Sequence, residues 1–424
     1  MIKRIIHHKL YRRLVLFFLS LLVSTMLLLT KDTLLSILDF EVSFYSGQKN
    51  DKGIYQLSDY TFQVNRLINH QSIMVGDKVM NRYPPVYAYM LYGAYLVSDS
   101  IGMKYQHAVY ILSMLLVALA TVLISEITFL LYNSPWLSLF SGLLFATHPY
   151  NLSGVVKVLS YTPFMLFLLI AVWFMLLIIR KNKRILLFVI MTGLSLGVAS
   201  MLRPIGLLLP FIFAAFLIIF LKQFKMFHRI ALALLLLVMS ELVLFPWQVF
   251  NAKHDEAVLI SSNQVYSMRD GFAFNNHAAK KDIDLPVKMD STARKISMTN
   301  ARNGREMFQV IWQEVKDQPV VMAKLFGLKA IRSWYGVFIQ DPVKEKIKLA
   351  FFFIYALLAI VGFLRYRGKN MLFRQFSWLF LIVLLYFWGM TILVVSMVRY
   401  MYPVFGLAVV FIPGIFKGNE VVDK

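Results

Sequence analysis

The chain has no cysteine, which removes disulfides, thiolate metal sites and cysteine nucleophiles together. It is also short of acid. Only 22 Asp and Glu stand against 44 Lys and Arg, so chemistry that needs a carboxylate draws on few candidates. Charged residues make up 16% of the 424 positions while 59% are hydrophobic, a balance far too apolar for a water-soluble fold of this length. No P-loop, dinucleotide-binding fingerprint, zinc motif or serine triad appears, and no low-complexity tract. No internal repeat is visible either, which weakens a transporter reading, although inverted repeats can be silent in sequence.

What is present is a series of long apolar runs. Ten of them, 14–29, 107–131, 136–146, 161–179, 185–202, 205–221, 230–245, 349–364, 376–395 and 403–416, predict an all-α, polytopic membrane protein of about ten transmembrane helices. Segment 86–97 is also apolar and is read as a partly embedded or interfacial helix; letting it span in place of the short 136–146 gives the same parity. The net charge of +22 would suggest nucleic acid in a soluble protein. Here the basic residues sit in clusters flanking apolar runs, RKNKR (180–184), KQFKMFHR (222–229) and RYRGKNMLFR (365–374), and read as topology signals beside anionic lipid; no nucleic-acid partner is expected. MIKRIIHHKLYRR precedes the first run, with no small-residue cleavage pattern after it, and reads as a retained signal anchor. With the N-terminus in the cytoplasm, four crossings before Arg180 place every later basic cluster inside too.

Two polar segments then face the extracytoplasmic side, the loop 35–106 and an insert of about a hundred residues, 248–348. The domain division follows: a membrane bundle 1–247, an extracytoplasmic helical lobe 248–348, and C-terminal membrane helices 349–424. Within the lobe, apolar residues at helical spacing over 303–335, interrupted at Pro319, predict two amphipathic helices.

The first outer loop holds Asp39, Glu41, Asp51, Asp59, Asp77 and Asp99. Asp59 is the sharpest candidate for chemistry. It follows Ser58 at the start of a predicted amphipathic helix, 59–68, where the helix dipole favours an ionised carboxylate; the plainer reading is an ordinary first-turn acid. Asp282 and Asp284 have the spacing that holds a divalent ion in nucleotide-sugar enzymes, but a solvated loop is the simpler account. Glu126 and Glu241 fall within apolar runs, Glu126 near the cytoplasmic end and Glu241 deeper, where a partner in the bundle is expected. Trp136, Trp247, Trp334, Trp388 and Tyr400 fit an interfacial aromatic belt.

The segment LSDYTFQVNRLINHQSIMVGDKVMNRYPPVYAYMLY (57–92) joins an acid, an aromatic-bearing helix and Tyr83-Pro84-Pro85. In this order it resembles the bacterial dolichyl-phosphate-mannose protein mannosyltransferase group, GT-C glycosyltransferases that include the lipid A aminoarabinose transferases. The resemblance continues through GVASMLRP (197–204), PWQVFN (246–251), SSNQVYSMRDG (261–271), the helical stretch 303–335 with its closing Arg332-Ser333-Trp334, and Arg399-Tyr400 with Pro403. It implies transfer of a sugar from a polyprenyl-phosphate donor to a glycan, lipid or protein acceptor on the outer face of the cell membrane, by inverting displacement. Such chemistry needs a base for the acceptor hydroxyl and cations for the departing phosphate. By the resemblance, Asp59 is the base. Arg203, Arg332 and Arg399 are the phosphate candidates, with interfacial snorkelling as their alternative, and Tyr83 is a further substrate-binding candidate.

The chain departs from the family at one telling place. Relatives carry a glutamate just before the fourth span, where this chain has Ser160-Tyr161-Thr162-Pro163, and the whole stretch HPYNLSGVVKVLSY (148–161) lacks a carboxylate. This puts a two-carboxylate or divalent-metal mechanism in question, and no cofactor is called for by any motif. His148 and Lys157 are alternative phosphate ligands there, although His148 beside Pro149 also suits a helix end. The family's arginine before the asparagine of its Pro-Trp motif is Phe250. A lipid-linked sugar flippase or a non-catalytic subunit of an envelope polysaccharide assembly are the rival readings.

Overall fold

The computed structural model describes residues 9–29, 60–75, 78–79, 83–148, 151, 155, 159–180, 184–254, 260–261, 263–272, 285–336, 342–367 and 370–417. The helices are α1 (Lys9–Leu29), α2 (Thr61–His70), α3 (Val86–Ser100), α4 (Tyr105–Tyr132), α5 (Pro135–Ala146), α6 (Tyr161–Ile179), α7 (Ile185–Leu202), α8 (Leu209–Phe220, entered by a 3-10 turn, Pro204–Gly206), α9 (Met226–His254), α10 (Asn263–Asp270), α11 (Val287–Ser297), α12 (Gly304–Asp317), α13 (Pro319–Arg332), α14 (Pro342–Tyr366), α15 (Met371–Leu393) and α16 (Val398–Ala408, continued by a 3-10 stretch, Val409–Ile415). Among the described residues, β-structure is confined to a minimal antiparallel ladder, Met74–Val75 against Lys78–Val79.

Among the described residues, eight helical segments are long and apolar enough to cross a membrane, and Pro135–Ala146 and Pro204–Phe220 are shorter apolar helices. All ten runs read from the sequence fall on these segments. Helix α3, at 15 residues, is an additional apolar helix beside α4. Helix α9 carries Pro246 within it and continues to His254, so the membrane helix runs past the point where the polar insert begins in sequence. The central helices are α6 and α16: their apolar windows are 72% and 78% buried, against 28% or less for α1, α9, α14 and α15 at the rim.

The bundle has two chemically distinct ends. At one end the cationic N-terminal turns of α1 meet the buried Glu126 of α4, with Arg12 Nη2 at 2.8 Å, Arg13 Nη2 at 2.6 Å and Lys9 Nζ at 3.6 Å. These partners are what make a carboxylate tolerable in so apolar a helix. Other basic residues collect at the same end and cap carbonyls there: Lys417 donates to the Tyr132 carbonyl at 2.9 Å, Arg365 to Ile415 at 2.9 Å, and Arg229 to Phe224 at 2.8 Å. Helix C-termini leave such carbonyls unsatisfied and favour cations.

Close helix packing explains the middle of the bundle. Gly193 and Gly197, one turn apart on α7, face the backbone of α9, where a β-carbon would overlap Met239 and Val243 at 2.8 Å each. This small-xxx-small pattern lets two backbones approach in lipid, where dispersion rather than water expulsion drives association.

The opposite end carries the lobe, α10 to α13, with its own core of Met268, Phe272, Ala293, Ile296, Met307, Ile311, Met322 and Leu325. The two helices expected in 303–335 form as α12 and α13. The Asn303 side chain accepts from the Glu306 N–H at 2.9 Å while the Glu306 carboxylate accepts from the Arg302 N–H at 2.8 Å, a reciprocal cap on α12. Pro319 opens α13 at its first helical position, where its missing N–H costs nothing.

Candidate active site

Helix α7 stops at Leu202 because Pro204 forces its predecessor out of the helical region, leaving Arg203 extended at φ −148°, ψ 125°. Its guanidinium carbon then lies 4.9 Å from the centre of the Tyr400 ring. Arg399, in the first turn of α16, lies 5.4 Å from the same ring. Two sequence-predicted arginines, nearly two hundred positions apart, thus share one aromatic platform, and both are half-buried.

Arg332 reaches this corner through the backbone. It is the last residue of α13 and is buried, with its guanidinium carbon 5.9 Å from the Tyr335 ring. Its carbonyl accepts from the Gly336 N–H at 2.7 Å, and the Gly336 carbonyl accepts from the Val398 N–H at 3.1 Å, one residue before Arg399. Only glycine fits at 336, since a β-carbon would stand 2.7 Å from the Arg332 carbonyl oxygen and 2.9 Å from that of Ser396.

The lobe is fastened to the connection between α15 and α16 by further bonds. The fully buried Lys329 donates to the Val394 carbonyl at 2.7 Å and rests 3.9 Å from the centre of the Phe272 ring. Burial lowers its ammonium well below the usual lysine range. Thr391 donates to Ser333 at 2.9 Å, and the Trp388 indole donates to the Ala330 carbonyl at 3.0 Å. Sequence reading passed over Lys329. The signal was its register, for Met322, Leu325, Lys329 and Arg332 form one buried stripe on α13.

The segment that begins at Tyr60 arrives at the same end. Tyr60 is buried, donates to the Ser160 hydroxyl at 2.8 Å, and packs its ring 4.7 Å from that of Tyr83 and 4.9 Å from that of Tyr87. Gln63 donates to the Tyr83 carbonyl at 2.9 Å, so Tyr83 is held on both sides. Next to Ser160, Tyr161 packs 5.1 Å from Tyr402, two residues beyond Tyr400, and the Tyr402 hydroxyl donates to Asn151. By the resemblance, the family's Ser-Glu pair falls on Ser160-Tyr161, so the glutamate's place is taken by Tyr161, packed on Tyr402, beside a serine hydroxyl engaged by Tyr60.

Asp59 and Lys157 lie outside the described residues, as do Asp39, Glu41, Asp51, Asp77, Asp282 and Asp284. His148 is buried with its ring 4.6 Å from Tyr355, and burial pushes the imidazole down to about 4. Glu241 differs from expectation: it faces out of the bundle and has no hydrogen bond or ion pair with any described residue. Trp334 and Trp388 also differ, because they pack 5.9 Å apart at the junction of lobe and bundle, with Trp334 also 4.8 Å from Phe352. Phe250 stacks 5.4 Å from Trp247 and 4.7 Å from His254. Among the described residues no three His, Asp or Glu side chains gather as a metal site.

The sequence model of the dolichyl-phosphate-mannose-protein mannosyltransferase family matches residues 82–247, a stretch that includes Tyr83, His148, Lys157 and Arg203. No curated protein matches the chain significantly. Its fold is similar over 95% of its length to the oligosaccharyltransferase of Archaeoglobus fulgidus tethered with an acceptor peptide, with a TM-score of 0.53, 12% identity and 49% of that chain covered. It is similar over 96% to the same organism's oligosaccharyltransferase AglB in complex with an inhibitory peptide and a dolichol-phosphate, with a TM-score of 0.53, 13% identity and 50% of that chain covered. The chain spans about half the length of these structures. The fold is a helical membrane bundle similar to that of this oligosaccharyltransferase.

Proposed function

We propose that the protein is an inverting glycosyltransferase that takes a sugar from a polyprenyl-phosphate donor and passes it to an acceptor outside the cytoplasm. The observation that carries this reading is the convergence of Arg203 and Arg399 on Tyr400, with Arg332 tied into the same corner. Two guanidiniums brought to one ring make a locally cationic corner that favours an anionic group. A lipid phosphate at the membrane boundary suits the place, because guanidinium offers it two parallel hydrogen bonds.

In this reading the acceptor hydroxyl attacks the anomeric carbon as the bond from that carbon to the phosphate oxygen breaks. Asp59, which precedes Tyr60 in the chain, takes the hydroxyl proton, and the arginines stabilise the charge left on the lipid phosphate. The lobe end, with the basic clusters at the opposite end, is the extracytoplasmic side, and the protein resides in the cell membrane.

Binding of polyprenyl monophosphate to the purified protein, compared with the uncharged polyprenol, tests the proposal. The phosphate is expected to bind and the alcohol to bind weakly. Arg203→Ala or Arg399→Ala should weaken phosphate binding by about tenfold to a hundredfold, the usual loss for a hydrogen bond to a charged group. Equal binding of alcohol and phosphate, or intact binding in both variants, would remove the phosphate site.

A further inference from the structure

Helix α9 turns one side towards α7 and α8 and the other out of the bundle. The outward side includes Phe227, Ala231, Leu234, Val238, Glu241 and Phe245, all exposed and spaced alternately four and three apart. That is the seam of a helix that packs against another at a shallow crossing angle. Glu241 stands midway along the 29 residues of α9. Measured on the apolar run 230–245, it lies about 5 Å from the middle at the helical rise, well inside a hydrocarbon core about 30 Å thick.

A carboxyl facing lipid at that depth is costly, and such residues ordinarily meet a partner. The chain shows the rule on α4, where Glu126 is met by Arg12 and Arg13. Nothing described in the chain does this for Glu241. A second copy docked by two-fold symmetry would set Glu241 against Glu241, like against like. We propose that the outer face of α9 docks a transmembrane helix of another membrane protein, one that presents a lysine or arginine to Glu241 at mid-membrane depth. This inference does not depend on the proposed transfer reaction.

Because the chain has no cysteine, an Ala252→Cys variant takes a single fluorophore at the exposed lobe-side end of the seam. The probes are two synthetic leucine-rich membrane-spanning peptides carrying an acceptor dye, alike except for lysine or leucine at the centre. In lipid bilayers, energy transfer is expected to show the lysine peptide associating roughly fivefold to thirtyfold more tightly, the range for polar contacts between membrane helices. The advantage should vanish in Glu241→Leu and shrink in Glu241→Gln, which keeps the shape without the charge. Glu241→Leu should unfold at or above the wild-type temperature, confirming that it folds. Equal association of the two peptides overturns the proposal, as does an advantage that survives in Glu241→Leu. Self-association of the wild type that disappears in Glu241→Leu would place a second copy on the seam and overturn it too.

Discussion

Tyr400 has two guanidiniums close to its ring, and each would bind phosphate through its planar fork as much as through its charge. Arg399→Lys should therefore weaken polyprenyl phosphate binding by about tenfold in a titration, because one bidentate contact becomes a point charge. His148 carries a separate expectation. Its folded-state value of about 4 lies below the ordinary 6.5. The unfolded chain thus binds the proton more readily, and stability should fall as pH drops from about 6.5 to about 4 and level off below that. The loss is roughly 3 kcal/mol for full burial. Unfolding midpoints across that range should show the decline in the wild type and a flatter profile in His148→Phe. Arg203 and Arg399 stood out in the sequence because they flank apolar runs outside the basic clusters, and the structure brings both to Tyr400. Lys329 and Ser160 did not stand out, because their partners, Val394 and Tyr60, are 65 and 100 positions away and one sequence carries no sign of that pairing.

At the scale of elements, the contact of α7 with α9 and the junction of α13 with the α15–α16 connection decide where the site residues stand. Gly197→Leu should force α7 off α9 and displace Arg203 at its end, with a cost of about 3 kcal/mol or more in an unfolding measurement. Lys329→Met removes the donor from a buried carbonyl and should cost about 1–3 kcal/mol. Gly271→Ala strikes the same junction from the other side, since a β-carbon there would overlap the Val394 carbonyl. The apolar runs announced the membrane helices by length and hydropathy alone. The continuation of α9 to His254 was hidden because polar residues after Trp247 give a hydropathy scan no reason to extend the helix. Trp334 and Trp388 read as belt residues because an indole suits either a wet interface or a packed junction, and only the Ala330 and Phe352 contacts separate the two.

For the whole molecule, the collection of basic clusters at one end and the lobe at the other predicts both termini in the cytoplasm. Topology reporters fused at Lys183 and Lys369 should report the cytoplasm, and one at Ala279 the opposite side. The central claim is that this bundle breaks the bond between a sugar and a polyprenyl phosphate with Asp59 as base. The most direct measurement is release of polyprenyl phosphate by the purified protein from a panel of polyprenyl-phosphate-linked sugars with hydroxyl-bearing acceptors, for wild type and Asp59→Asn. The wild type is expected to turn over at least one donor, and Asp59→Asn to bind that donor normally while losing about a hundredfold to ten-thousandfold in rate. Near-normal turnover by folded Asp59→Asn, or no release from any donor by a wild type that binds them, would contradict the account.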